Sequence, residues 1–397
     1  TRSCSFERGG LFLIVLIFAG TGTFTMELRI ERQSLMRSLS HVQSVVERRN
    51  TIPILSNVLI ECEGDAVTLT ATDMDLTITE TTGATIVKPG AITAPAHMLF
   101  DIVRKLPDGV EVGLTSQSDT GRMILTAGKA RFELSTLPRE DYPSLDGAAM
   151  PISFEIPAEE LKTLIERTRF AISTEETRYY LNGIYLHAMG EGASAALRAV
   201  ATDGHRLARF ETVLPTGAGE MPGVIVPRKT VGELVKLLDG GDEDVRVSLS
   251  ESRIEFRFSD VTLSSKLIDG TFPDYERVIP TANDKSMMVD KATFAHAVDR
   301  VSTIASAESR AVKLAVSAGR LNLSANAPDR GQANEEIEVE YGSTDIEIGF
   351  NARYLLDIAT QLSGDSAEFV FADAGSPTLV KDKDSASVLY VLMPMRV

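Results

Sequence analysis

Val226-Pro-Arg-Lys-Thr-Val-Gly-Glu-Leu-Val-Lys-Leu-Leu-Asp-Gly240 has two relatives within the same chain. Ala94-Pro95 opens Leu99, Asp101, Ile102, Val103, Leu106 and Gly109, and Phe350-Asn351 opens Leu355, Asp357, Ile358, Ala359, Leu362 and Gly364. Counted from Pro95, Pro227 and Asn351, apolar residues stand at +4, +7, +8 and +11, an acid at +6, and a glycine at +13 or +14. Offsets of three and four place the apolar side chains on one stripe of a helix, and the glycine suits a left-handed stop after it. The copies begin 132 and 124 residues apart, so the repeating unit is a small domain, too long for a solenoid repeat. Three copies of one domain build a shape; a single-site enzyme needs only one.

The same parts recur in order around each of these helices. A strand and first helix are expected at Met26–Ile30 and Gln33–Glu47, at Ser153–Ile156 and Pro157–Ala171, and at Met287–Val289 and Lys291–Ala305. Leu35/Leu39/Val42, Leu161/Ile165/Thr168 and Phe294/Val298/Val301 are equivalent anchors, with Pro157 placed as the first helical residue. Alternating strands follow, as at Asn57–Glu61, Val67–Thr72 and Thr77–Glu80, with a hairpin expected near Asp119-Thr120-Gly121. Related strands close the copies at Phe132–Pro138, Leu263–Asp269 and Val388–Pro394. The expected class is α+β: three similar domains, 26–148, 152–273 and 275–397, each with two helices packed on antiparallel sheet.

The chain has 397 residues, 43% hydrophobic and 24% charged, with two cysteines, Cys4 and Cys62. That composition can bury several cores, contains no disulfide framework and points to a reducing, cytoplasmic setting. The formal net charge of −16 argues against coating nucleic acid with the whole surface, yet allows positive charge gathered on one face. Arg2 and Arg8 precede an unbroken nonpolar run from Leu11 to Ala19, too short to span a bilayer. Residues 1–25 read as an upstream extension ahead of Met26, or as a signal-like segment.

Thr202-Asp203-Gly204-His205-Arg206 is the densest polar cluster. Asp203 and His205 could form an acid–base pair, but no nucleophile motif accompanies them, and Asp-Gly also makes a tight turn. Thr72-Asp73-Met74-Asp75 stands 130 residues earlier, which favours a repeated turn. No phosphate cradle, His-Glu-x-x-His or metal-ligand spacing occurs, so neither cofactor nor metal is expected. Arg32, Arg37, Lys162, Arg169 and Arg300 on first helices, and Arg104, Lys105, Lys229 and Lys236 on second helices, leave two readings open: ordinary solubilising charge, or one shared face for phosphates. The apolar end Tyr390–Val397 is either a docked strand or, through Met393 and Met395, the lining of a groove.

Arg178-Tyr-Tyr-Leu-Asn-Gly183, Ala201-Thr-Asp-Gly-His-Arg-Leu207, Val224-Ile-Val-Pro-Arg-Lys229, Phe272-Pro-Asp-Tyr275 and Met393-Pro-Met-Arg396 together resemble the bacterial DNA polymerase III beta subunit family, the replication sliding clamps. The likeness runs from Met26 to Val397. It implies three like domains per chain, two chains closing head-to-tail as a homodimeric ring around duplex DNA, and no catalysis. Its partners would be double-stranded DNA held without reading sequence, the replicative polymerase, the clamp loader and other proteins carrying a short clamp-binding motif; no membrane is involved. The rival readings are an enzyme using Asp203 and His205, and a non-replicative three-domain scaffold.

Carried over by position, the resemblance implies a partner-peptide groove at Leu181, Thr202, Gly204, His205, Arg206, Leu207, Pro273, Arg277, Val278, Asn351, Tyr354, Met393, Pro394, Met395 and Arg396. It implies DNA contacts at Arg49, Tyr179 and Tyr180. At the ring joint, Phe132 and Leu134 would meet Thr303 and Ile304, with Arg122, Lys129 and Arg131 facing Glu335 and Glu336. His97, Glu175, Thr303 and Pro377 depart from the family pattern.

Overall fold

A computed structural model describes residues 24–117, 121–143, 149–239, 241, 243–306, 310–383 and 385–396. Residues 1–23 of the upstream segment, the Asp119-Thr120 pair and Gly240 lie outside those residues, whereas Phe24 and Thr25 begin the first strand, Phe24–Glu31. Among the described residues there are six α-helices: α1 Arg32–Val42, α2 Ala96–Lys105, α3 Ala158–Arg169, α4 Arg228–Leu237, α5 Lys291–Ser302 and α6 Ala352–Gln361. They form three pairs, one per repeat, and every strand pairing is antiparallel.

The opening motif folds as the helices α2, α4 and α6, with Pro95, Pro227 and Asn351 as N-caps. Leu99 and Val103, Val231 and Leu234, and Leu355 and Ile358 lie in the core. The left-handed glycine stop is corrected for two of the three. α2 and α6 close on Leu106 and Leu362 in extended conformation, and Gly109 takes its φ of +71° only three residues past Leu106.

The first helices are shorter than the periodicity predicts. α1 ends at Val42, and hydrogen bonds from Val45 N to Val42 O and from Val46 N to Gln43 O continue it as a tighter turn. Ala171 N to Thr168 O and Ala305 N to Ser302 O do the same after α3 and α5. Val45, Val46, Ala171 and Ala305 are still buried, so the apolar spacing persists where the backbone changes from i→i+4 to i→i+3 bonding. Pro157 is the N-cap of α3, and the first helical residue is Ala158.

The repeats are joined edge to edge. Val261–Lys266, the last strand of the second repeat, pairs with Leu76–Gly83 of the first, Leu263 standing opposite Ile78. Ser385–Leu392, the last strand of the third, pairs with Arg206–Val213 of the second, Arg206 standing opposite Leu392. Sheets of eight and nine strands therefore cross the two domain boundaries. The corresponding strands at the two ends of this pattern, Ala130–Ser135 and Gly331–Glu338, are edges of their sheets. Apolar residues of all three repeats fuse into one continuous core, from Met26 and Leu39 through Phe256 to Phe294 and Tyr390.

Candidate functional site

The hairpin Thr202–Arg206 sits at the boundary of the second and third repeats. Asp203 Oδ1 accepts from His205 N at 2.9 Å and Arg206 N at 3.0 Å, and Gly204 supplies the left-handed φ of +87°. Its counterpart Thr72–Leu76 repeats the arrangement: Asp73 Oδ1 accepts from Asp75 N and Leu76 N, with Met74 at φ +81°. The cluster is a duplicated Asx turn. His205 Nδ1 lies 4.0 Å from Asp203 Oδ1 and its side chain is 61% exposed, so no base is oriented there for catalysis.

Beside this hairpin lies a cleft of about 300 Å³ lined by Arg178, Tyr180, Leu181, Thr202, Gly204, Arg206, Leu207, Pro273, Asp274, Tyr275, Val278, Val391 and Met393. Its floor is apolar because Leu181, Leu207, Tyr275 and Val391 belong to a separate buried cluster with Val200 and Phe272. Val278 and Met393 stand at its rim, half exposed. The Arg178 guanidinium forms one wall, held by Glu175 Oε2 at 2.8–2.9 Å and lying where a Cβ on Gly204 would meet it at 2.5 Å. Burial pushes the Tyr275 hydroxyl above its ordinary pKa, so it stays a neutral phenol.

Eight of the residues expected in a groove line this cleft: Leu181, Thr202, Gly204, Arg206, Leu207, Pro273, Val278 and Met393. The others lie around it. Arg277 is exposed and paired with Asp274, and Asn351 accepts from Arg353 N as the cap of α6. Tyr354 lies beneath the Arg206 guanidinium at 4.4 Å. The terminal segment leaves the cleft through Met393 N to His205 O at 2.9 Å and Met395 N to Gly349 O at 2.8 Å, carrying Pro394, Met395 and Arg396 beyond it. Pro377 O accepts from Asn283 Nδ2 at 3.0 Å. Five lining residues were not anticipated for the cleft: Arg178, Tyr180, Asp274, Tyr275 and Val391. The sequence signal for the first four is their place inside Arg178–Gly183 and Phe272–Tyr275, stretches that carry the family resemblance, and for Val391 its place in the apolar end Tyr390–Val397.

Tyr180, which the resemblance puts at DNA, also lines the cleft, edge-on to Tyr179 at 5.8 Å between centroids. Tyr179 is 54% exposed. Arg49 is exposed beyond α1. His97 is turned inward, Nδ1 2.8 Å from Gln43 Oε1 and Nε2 2.9 Å from Val46 O.

Several of the recurring basic residues are already paired, which narrows any shared positive face. Arg32 ties α1 to the end of α2 through Val103 O, Arg104 O and Asp108. Lys162 pairs with Asp239, Lys236 with Glu233, Arg300 with Glu335 and Arg104 with Asp101. Lys229 spans two repeats, bonding Asp73 and the Val45 carbonyl.

At the edge strand Ala130–Ser135, Phe132 is half-buried and borders a hollow of about 620 Å³ lined also by Met98, Asp101, Ile102 and Leu106. Leu134, expected to meet a second copy, is 4% exposed in the single chain and packs against the core of its own repeat. Arg122 and Arg131 share Glu133 at 3.0 and 3.4 Å, and Lys129 is exposed in the preceding turn. Glu335 is held by Arg300, while Glu336 is exposed. Thr303 is exposed and Ile304 half-buried just after α5.

Family profiles match all three repeats. The DNA polymerase III beta subunit N-terminal domain matches residues 26–146, the central domain 155–274 and the C-terminal domain 276–396. Among curated relatives, the beta sliding clamp of Caulobacter vibrioides is 53% identical over 372 residues, covering 94% of this chain and 100% of the relative. That of Escherichia coli K12 is 38% identical over 374 residues with the same coverage, 94% and 100%. Among solved structures, the sliding clamp of Bartonella birtlesii bound to griselimycin superposes with a TM-score of 0.91 at 51% identity, covering 94% of this chain and 100% of that one.

Proposed function

The chain belongs to the DNA polymerase III beta subunit family and is a sliding clamp, a non-catalytic processivity factor; on that premise we propose that two copies close head-to-tail into a ring around duplex DNA. One observation carries this reading. Both internal boundaries are made by the last strand of one repeat pairing with the hairpin strand of its neighbour. The same rule leaves one last strand, Ala130–Ser135, and one hairpin strand, Gly331–Glu338, as edges at opposite ends of the chain. A second copy supplies each with its missing neighbour. Exposed strand edges otherwise invite irregular association, and ring closure removes them.

Within the ring, Arg49, Tyr179 and Tyr180 lie against DNA, joined by basic side chains that carry no ion pair among the described residues, such as Arg169 and Arg228. Weak phosphate contacts without base readout suit a protein that must slide, and the acidic remainder of the surface restricts binding to the lining. Tethering then raises the local concentration of a bound polymerase at the primer end.

The cleft beside Thr202–Arg206 takes the short peptide motif of the polymerase, the clamp loader and other replication and repair proteins. Leu181, Val278, Pro273 and Met393 receive its aliphatic and aromatic side chains. No described helix is long and apolar enough to cross a membrane, and a DNA-bound function places the protein in the cytoplasm.

Fluorescence polarisation with a labelled Gln-Leu-Ser-Leu-Phe peptide, beside sedimentation of the unlabelled protein, tests both parts. Micromolar binding by a dimer is the expected result. A folded chain that stays monomeric and ignores the peptide would leave only the three-domain scaffold.

A further inference from the structure

The acid at +6 of the repeated helix motif is unexplained by helix formation, since it lies on neither the apolar stripe nor a cap. Its role is visible at the boundary of the second and third repeats. There Asp357, the +6 acid of α6, receives Arg206 Nη1 at 2.6 Å. Arg206 ends the hairpin of the neighbouring repeat and also donates to Phe170 O, the carbonyl at the C-cap of α3, at 2.6 Å. Its guanidinium lies over Tyr354, the residue at +3.

The boundary of the first and second repeats is a natural control. Its hairpin ends in Leu76, which offers no charge. Glu233, the +6 acid of α4, turns to Lys236 of its own helix at 2.8 Å, and the ion pairs across this boundary are made by Lys229 with Asp73 and Glu47 and by Lys266 with Asp75.

The third repeat again ends its hairpin in an arginine. Arg330 Nη1 donates to Ala305 O, a carbonyl just past the end of α5, at 3.4 Å, and Nε lies 3.9 Å from Asp329. This is the first half of the Arg206 arrangement with the acceptor across the boundary missing. The matching +6 acid is Asp101 of α2. It borders the hollow beside Phe132, is about half exposed, and among the described residues pairs with Arg104 at 3.0 Å. At +3 stands Met98, 55% exposed, in the place that Tyr354 fills beneath Arg206.

We propose that Arg330 of one copy pairs with Asp101 of a second copy across the ring joint, with Met98 covering the guanidinium stem. The inference rests on the ring reading above and adds the ion pair that sets its register. Arg104 and Lys105 beside Asp101, and Asp329 beside Arg330, are the charges that compete with it. A guanidinium shared between a carbonyl and a carboxylate is geometrically demanding, so the pair selects the closed arrangement over a splayed one.

The test is a charge-swap cycle on the full chain, with dimer dissociation read by sedimentation and mass photometry. Asp101→Arg and Arg330→Asp should each weaken the dimer about tenfold or more, and the double variant should recover most of that loss. Additive losses with no recovery, in a chain whose unaltered form dimerises, overturn the pair and leave the ring standing. A monomeric unaltered chain overturns both. Circular dichroism checks folding, and if Arg330→Asp misfolds, the milder cycle of Asp101→Asn with Arg330→Gln must show coupling or the pair is rejected.

Discussion

Arg206 and Asp357 lie 151 residues apart in sequence and 2.6 Å apart in space, and this contact joins the second and third repeats. Only 8% of the Arg206 side chain is exposed, and its remaining donors go to Asp203 and Phe170 O while Tyr354 and Phe170 flank its plane. A buried guanidinium of this kind contributes mainly through what its loss leaves behind. Arg206→Ala strands Asp203, Asp357 and a carbonyl, and should destabilise the protein by roughly 3 kcal/mol. Chemical denaturation should show it, with Arg206→Lys recovering only part of the loss because ammonium cannot satisfy the same fork. A shift below about 0.5 kcal/mol would show that the joint is held by its strand pairing alone.

The cleft makes a ranked prediction. Met393 and Val278 stand at the rim, half exposed, so truncating either removes peptide contact without opening the core. Met393→Ala should weaken a Gln-Leu-Ser-Leu-Phe peptide by about 2 kcal/mol, near thirtyfold. Met395→Ala should cost less, because Met395 is fixed through its backbone to Gly349 outside the cleft. Equal losses, or none, would relocate the binding surface. Gly204→Ala should also weaken the peptide, since its Cβ displaces the Arg178 wall and its φ of +87° resists a side chain.

Much of this architecture was legible in the chain. The stripe at +4, +7, +8 and +11 gave α2, α4 and α6 because amphipathic spacing reflects burial directly. The Asp203 and Asp73 turns were readable because an aspartate that bonds its own following amides needs no partner elsewhere. Helix ends were not. Burial continues through Val45 and Ala171 although the hydrogen bonding has already tightened, and periodicity cannot distinguish the two. The +6 acid was visible in sequence, but the Arg206 that donates to Asp357 comes from a strand of another repeat, where local pattern is silent. Tyr179 is exposed while its neighbour Tyr180 lines the cleft, a difference that no periodic pattern in the sequence marks.

On the edge strand, Phe132 is the more exposed of the two apolar side chains expected at the ring joint, Leu134 being 4% exposed. Phe132→Ala should therefore weaken dimerisation by about 2 kcal/mol with little change in protomer melting. Thr303→Ile should tighten it, by adding apolar surface where an exposed hydroxyl now stands at the end of α5. Concentration-dependent sedimentation separates these from folding defects. A Phe132→Ala protein with unaltered dimer affinity would place the joint elsewhere.

Cys62 makes a chemical prediction. It is 4% exposed, and burial followed by the neighbouring Glu61 charge pushes its thiol up to about 12. At pH 8 it should resist iodoacetamide in the folded protein and react once denatured, since the thiolate is the reactive form. Mass spectrometry of the peptide containing Cys62 reads both states. Rapid native labelling would mean that the first repeat opens locally.

His187 should confer a pH dependence on stability. Its ring stacks on Tyr185 at 4.7 Å between centroids, and burial, the leading cause, holds its pKa below the ordinary histidine value. The hydrogen bonds define its state. Arg198 Nη1 donates to Tyr275 Oη at 2.8 Å, so the Tyr275 hydroxyl is left to donate to His187 Nε2 at 3.0 Å. Nδ1–H then donates to Ala188 O at 3.2 Å. That network requires a neutral ring. The unfolded chain protonates His187 near pH 6.5, above the folded value, so unfolding takes up a proton as the pH falls through that interval. Stability from this group is complete above about pH 6.5 and declines below it. Thermal melts of the native protein from about pH 7.5 to 5 should therefore fall more steeply than those of His187→Gln, which keeps polarity without the titration. Parallel curves would show that the ring protonates without cost, and that Tyr275 turns its hydroxyl away to let it.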